Sequence, residues 1–266
     1  MAKVLEFKAT NVRPFTSWLK KFASIDNSLL LEIDPAAQNF VAKTYNAEHS
    51  VIKYSKISFS DACLEMNPKK DVPDRVVKAG IGHIPRLMKS IDHFQAGEFT
   101  LSFKFDEILG ENVLVGTDIQ LKNDTLKMNI VGTSLHIFKP ITEELFANKI
   151  SKITPLVKFD LPSLLIEKIN SLCNLDSGYD FIDLKTKGGK LTGRGKTFEL
   201  ILADSGTADS AISIYKKQFD KLDIENYLVE MANNKLVFSS KDSETITVIS
   251  MVEKDAKYNE SIPEFS

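Results

Sequence analysis

A change of hydrophobic period, repeated in the same order along the chain, most constrains what this sequence can fold into. Residues 12–25, VRPFTSWLKKFASI, carry Phe15, Trp18, Leu19 and Phe22. That is the i, i+3, i+4, i+7 spacing of an amphipathic helix. Three strand-like runs follow: SLLLEID (28–34), NFVAKTY (39–45) and HSVIKYSKISF (49–59), the first two separated by a Pro-Ala-Ala-Gln turn. Residues 60–76 hold Pro68, Pro73 and mixed charges and read as a loop. A second helical period covers 83–94, with Ile84, Leu87, Met88, Ile91 and Phe94 on one side. Pro85 fits its first turn, where no intrahelical N–H partner is needed. Strands return at 98–108, 111–123 and 125–133, with Asn123-Asp124 as a turn. Residues 1–133 thus read as helix, three strands, helix, three strands, an internal structural repeat without sequence identity.

Residues 134–155 have two prolines and no clean period, and read as an interdomain connector. The pattern then restarts in a second domain, 156–254. VKFDLP (157–162) reads as a strand and 163–174 as a helix, with Leu165, Ile169 and Leu172 at helical spacing and Ser163 as its cap. Residues 179–189 and 190–196 form a hairpin about Gly188-Gly189. Strands are expected at 197–204 and 211–219, and a weakly patterned helix at 220–231. A last hairpin, 235–254, turns at Asp242-Ser243, and 255–266 reads as a solvated tail.

A length of 266 residues suits two domains of modest size, and an apolar fraction of 43% lets each bury a core. No apolar run approaches the roughly 20 residues of a spanning helix. Charges interrupt the N-terminal stretch where a signal peptide needs an apolar core, so a cytoplasmic location is expected. Cys63 and Cys173 form no CxxC pair and read as small apolar residues.

No catalytic constellation stands out. His49, His83, His93 and His136 are scattered, without the spacing of a helical metal pair. Gly193-Arg194-Gly195-Lys196 lacks the GxxxxGK[ST] spacing of a phosphate loop, and strand-like residues follow it. The expectation is a protein that is not an enzyme and needs no metal or other cofactor. The informative feature is the polar side of the helices. The first carries Arg13, Lys20 and Lys21 with no acid from 12 to 25. The second carries Arg86 and Lys89, with Lys78 just upstream and Asp92 as its only acid. The third offers Lys168, offset by Glu167, and Lys216, Lys217 and Lys221 lie near the weak fourth element, interleaved with Asp220 and Asp223. Any one such face is an ordinary solvated surface. Two nearly all-basic faces in equivalent repeat positions suit sequence-independent contact with phosphates, although formal net charge is −2.

Three stretches resemble the sliding-clamp family, proliferating cell nuclear antigen and its archaeal and phage relatives. AKTYNAEHSVIKY (42–54) is similar to the family's M-D-x-x-H-V element, with Tyr45 at the Met place, Asn46 at the Asp place and His49 matching the His. Residues 157–204 resemble the opening of the second domain, with Asp176-Ser177-Gly178 at its bend. KLVFSSKDSETITVISMVEK resembles the closing strands. Element order matches over most of the chain, whereas 205–234 and the acidic tail depart from it.

The resemblance implies an α+β DNA-clamp fold of two similar domains, with helices packed on curved antiparallel sheets. It implies a homotrimeric ring that encircles duplex DNA as a processivity factor. Its partners would be a DNA polymerase, other DNA-processing proteins and an ATP-dependent clamp loader. Subunit edges would fall at Leu126, Met128 and Ile130 and at Phe198, Leu200 and Leu202. A partner peptide would meet Tyr45, His49, Leu135, Ile137 and Phe138; the apolar connector residues fit equally a role of stapling the domains. Phage clamps vary most where this chain departs, which fits a viral source and the host cytoplasm. A β-rich viral structural protein forming large assemblies is the competing reading.

Overall fold

The computed structural model describes residues 3–68, 72–94, 97–107, 114–138, 154–176, 178–207, 210–232 and 234–252. Most of the expected connector (139–153) and the tail (255–266) lie outside the described residues. The chain divides into two compact units, Met1–Thr44 with Tyr54–Ile141, and Tyr45–Lys53 with Thr142–Ser266.

Unit one is built from β1 (Lys3–Ala9), α1 (Arg13–Ala23), β2 (Leu29–Asp34), β3 (Asn39–Tyr45), β4 (Val51–Ser58), β5 (Leu64–Met66), β6 (Val77–Ile81), α2 (Ile84–Asp92), β7 (Phe99–Glu107), β8 (Leu114–Lys122) and β9 (Lys127–Val131). The residues from 45 to 53 within β3 and β4 group with unit two. The sheet runs β4-β3-β2-β6-β8-β7-β1-β5, with β9 also on β8. One edge of β8 is shared: its start pairs in parallel with β6, Val77 opposite Leu114, and its end pairs antiparallel with β9, Lys127 opposite Lys122. The chain leaving β9 lies against β6, where the Thr133 N–H donates to the Gly80 carbonyl. A Cβ at Gly80 would sit 2.1 Å from the Thr133 carbonyl oxygen, so only glycine permits this approach.

Both long helices of unit one form for legible reasons. On α1, Phe15, Trp18, Leu19 and Phe22 are buried, and the basic residues of its last turn, Lys20 and Lys21, favour the negative end of the helix dipole. On α2, Ile84, Leu87 and Ile91 are buried, and the His83 ring accepts the Arg86 backbone N–H at 3.1 Å. The helices pack against each other. Beneath α1 the aromatic rings of Phe7, Phe15, Trp18, Phe40 and Phe59 form one connected cluster.

Unit two holds β10 (Val157–Leu161), α3 (Ser163–Leu175), β11 (Phe181–Lys187), β12 (Lys190–Arg194), β13 (Glu199–Asp204), β14 (Ala211–Tyr215), α4 (Lys216–Phe219), β15 (Tyr227–Ala232), β16 (Lys235–Ser240) and β17 (Glu244–Ser250). Its strands run β13-β12-β11-β14 and β10-β15-β16-β17. Gly188 and Gly189, at φ +59° and +77°, make the two-residue turn between β11 and β12. The α3 cap differs from expectation. Pro162 precedes the helix, Ser163 is its first residue, and the side-chain oxygen of Asn226 accepts the Ser163 N–H at 3.2 Å.

Further expectations are corrected. The N-terminal residues 3–9 form a strand, because KVLEFKA buries Leu5, Phe7 and Ala9 on alternate positions. The expected loop 60–76 contains β5, which pairs Lys8 with Glu65. Strand β6, VKAGI, was not expected. The strand expected at 211–219 ends at Tyr215 and gives way to one helical turn, Lys216–Phe219, and the helix expected at 220–231 is absent: β15 occupies its second half, with Tyr227, Val229 and Met231 buried against β10 and β16. The two units therefore differ. The first has two full helices and the second, among its described residues, one.

Candidate nucleic-acid interface and strand edges

The expected basic face is present on unit one. Arg13 and Lys20 are exposed, with Ser17 and Ser24 completing the stripe at spacings of three and four residues. Lys21 stands beside them, half-buried. On α2 and at its C-terminal cap, Arg86, Lys89 and His93 are exposed, with exposed Asp92 as the one acid of the helix. His93 was missed by sequence reasoning, and its position seven residues after Arg86 was the available signal. No carboxylate among the described residues pairs with Arg13, Lys20, Arg86 or Lys89 within 4.0 Å. Because α1 and α2 are packed together, the two stripes are neighbouring surfaces. Such a surface offers multidentate guanidinium and ammonium donors.

The remaining expected cations are placed differently. Lys78 lies on β6, directly opposite Glu32 on β2, and its ammonium is 3.4 Å from that carboxylate. Lys217 on α4 reaches Glu48 at 3.1 Å and lies over the Tyr215 ring. Lys221 is half-buried, and its carbonyl accepts a bond from Lys53 Nζ. Lys168 is exposed on α3, beside exposed Glu167. Leu164 and Leu175 lie on the same α3 stripe, 70% and 75% exposed.

Among the described residues, strands β9 and β13 are both open edges, each with one paired neighbour, β8 and β12 respectively. The side chains expected at these edges need correction. Phe198 and Leu202 are buried within unit two, and Met128 and Ile130 pack partly against the core of unit one. Leu200 is half-buried and Leu126 is 38% exposed. The outward apolar residues are Val131, 78% exposed, and Ile201, 61% exposed. Alternation explains the difference, since neighbours along a strand point to opposite faces. Long open edges carrying apolar side chains are templates for pairing with another chain.

The Tyr45 and His49 rings meet at 4.5 Å. Asn46 builds their turn, its side-chain oxygen accepting the N–H groups of Ser50 and Val51 at 2.8 and 2.9 Å. That is the work expected of a short polar residue at this place. Leu135 and Ile137 sit in a single 3-10 turn of unit one. Phe138 follows, closed down on Gly80, while Ile137 is largely exposed.

The Gly193–Lys196 stretch is confirmed as part of a hairpin. Gly195 is required sterically, since a Cβ there would strike the Phe198 ring and the Asp176 carboxylate, which accepts the Lys196 N–H. Burial pushes the Cys173 thiol up to about 11, so it stays protonated and weakly nucleophilic near neutral pH. Burial likewise raises the hydroxyls of Tyr179 and Tyr227. Nearby carboxylates add to the effect of burial, Asp183 at Tyr179 and Asp223 at Tyr227. Among the described residues no group of three or more His, Cys, Asp or Glu side chains is placed to hold a metal ion.

No protein-family model matches the sequence, and no curated protein is recognisably similar to it. Solved structures are. Proliferating cellular nuclear antigen from Entamoeba histolytica aligns over 95% of this chain and 100% of its own, with TM-score 0.65 and 14% identity. The A. fulgidus PCNA, solved with the C-terminal region of FEN-1 bound, aligns over 94% and 100%, with TM-score 0.61 and 8% identity. The DnaN sliding clamp of Pseudomonas aeruginosa aligns over 98% of this chain and 68% of its own, with TM-score 0.62 and 11% identity. These likenesses extend over nearly the whole chain and match its helices and antiparallel sheets: this protein has the α+β sliding-clamp fold.

Proposed function

We propose that this chain is a sliding clamp, a processivity factor that closes as a ring of identical copies around duplex DNA and tethers a polymerase. The observation that carries the reading is the joint occurrence, on a clamp fold, of a cationic surface on α1 and α2, whose Arg13, Lys20, Arg86 and Lys89 have no carboxylate partner among the described residues, and of an edge strand on each unit, β9 and β13, that carries an exposed apolar side chain. Heterologous pairing of β9 of one copy with β13 of the next repeats head to tail and closes a ring when the rotation permits. A homotrimer is the expected closure. The cations then meet phosphates without reading bases, which leaves the ring free to move along the duplex. Function needs no covalent step from this chain, and opening the ring falls to a separate ATP-driven loader. Polymerase and other DNA-processing partners are proposed to dock short apolar segments, with exposed Ile137 as one anchor. The FEN-1 segment seen on the A. fulgidus clamp is the precedent.

Topology gives the test. The protein is incubated with a linear duplex biotinylated at both ends, and streptavidin is then added. A ring that has threaded onto the duplex is trapped and survives a salt wash, whereas a surface binder leaves at the same rate with open or blocked ends. Equal loss from both would contradict the proposal. The edge assignment gives a second expected result. Ile201→Glu places a charge on an exposed position, so the protomer stays folded, but light scattering shows it as a monomer where the natural chain assembles. Unchanged assembly would remove β13 from the interface.

A further inference from the structure

Resting on the clamp reading, we infer that phosphate contact belongs to unit one alone: Arg13, Lys20, Arg86 and Lys89 hold the duplex, while the α3 face of unit two is a spacer that leaves the phosphates alone. The two units share an architecture but not a surface chemistry. Unit one offers four exposed cations on two packed helices, none with a carboxylate partner among the described residues. Unit two keeps one full helix among its described residues, and the exposed stripe of that helix reads Leu164, Lys168, Ser171 and Leu175. Two of those four positions are leucines, 70% and 75% exposed. A leucine side chain has no donor for a phosphate oxygen, and pressing it on a phosphate strips water from a charge without replacing it. The one cation of the stripe, Lys168, has exposed Glu167 as its chain neighbour. Of the other unit-two cations near α4, two are occupied. Lys217 is bridged to Glu48, and Lys216 beside it donates to the carbonyls of Cys173 and Asp176. Lys221 is half-buried at the start of the loop that Lys53 holds.

A ring of three such chains therefore carries three cationic surfaces, one for each copy, where two basic units per chain would give six. One physical consequence is a duplex held at fewer points, with a shallower salt dependence than six basic faces would give.

The test measures binding to a streptavidin-blocked linear duplex across a salt series for three proteins. In the quadruple variant R13A/K20A/R86A/K89A, the slope of log K against log salt flattens by about 0.9 for each phosphate no longer neutralised. In the triple variant K168A/K217A/K221A the slope matches the natural chain. All substituted positions except half-buried Lys221 are exposed, and an unchanged far-ultraviolet circular dichroism spectrum and thermal transition check that each variant folds. A triple variant that flattens the slope as much as the quadruple, with the natural chain still trapped by blocked ends, would overturn the one-sided assignment and leave the clamp reading standing. A natural chain that is not trapped at all would overturn both.

Discussion

Phe40→Ala lowers the stability of unit one by about 3–5 kcal/mol, the range for emptying a fully buried aromatic site. Phe40 is fully buried on β3. Its ring centroid lies 4.7 Å from Phe59, 5.1 Å from Phe15, 5.4 Å from Phe7 and 6.4 Å from Trp18. Those partners come from β1, from α1 and from the chain just after β4, so the ring joins helix to sheet. The neighbours are themselves rigid rings, which collapse poorly into a void, so the effect belongs in the upper part of that range. The chain's single tryptophan, Trp18, reports directly. It is buried, and its indole N–H donates to Ser55 Oγ at 2.9 Å. Urea unfolding followed by its fluorescence shows the midpoint shift, and a loss under about 1 kcal/mol would contradict the packing described.

Lys53→Ala has a comparable effect in unit two, about 3–5 kcal/mol, because it breaks a buried ion pair by removing one partner. The Lys53 side chain is fully buried, and its ammonium donates to the Lys221 carbonyl at 2.8 Å and to Asp223 at 2.9 Å. It ties residues 221–223, which follow α4, to the chain segment 45–53 that belongs to the same unit. Removing it leaves a carbonyl and a carboxylate without that charge, and opens a cavity the length of a lysine stem. Lys53→Met restores the stem but not the charge and is expected to lose less than the alanine. Urea unfolding of the two variants separates packing from charge. If methionine and alanine lose the same amount, the stem contributes little, and if neither loses more than about 1 kcal/mol, the buried pair is not holding the loop.

Much of this fold was legible because its helices obey one period cleanly. In α1 and α2 the buried apolar residues fall on one side and the cations on the other, so their surface was readable together with their position. Strands were legible where polar and apolar residues alternate, as in β2 and β3. Where alternation is short or blurred, the pattern misleads. VKAGI offers only a small Ala-Gly pair at its centre, and β15 reads Tyr-Leu-Val-Glu-Met-Ala, an apolar run that periodicity cannot separate from a helix.

The edge residues show a subtler limit. In FELILAD the positions of Phe198, Leu200 and Leu202 share one parity, and apolarity draws attention to them, yet Phe198 and Leu202 on that parity face the unit's own core. The informative residue is Ile201, apolar on the parity otherwise held by Glu199 and Ala203. Val131 stands in the same relation to Lys127 and Asn129 on β9. An apolar side chain on the solvent parity is the sign of a second surface to be covered. Charge pairing was not legible at all. Nothing near Lys217 in sequence announces Glu48, 169 positions away. Lys216 and Lys217 look equivalent to the cations of unit one until tertiary structure supplies their partners.

The measurement that bears most directly on the central proposal is the solution mass of the natural chain by light scattering across a dilution series. Ring closure predicts a concentration-dependent rise from the 29.8 kDa protomer to about 90 kDa, with no larger species, as head-to-tail edges close on themselves. A protomer that stays monomeric at high concentration, or one that grows without limit, would contradict a closed ring and with it the proposed clamp.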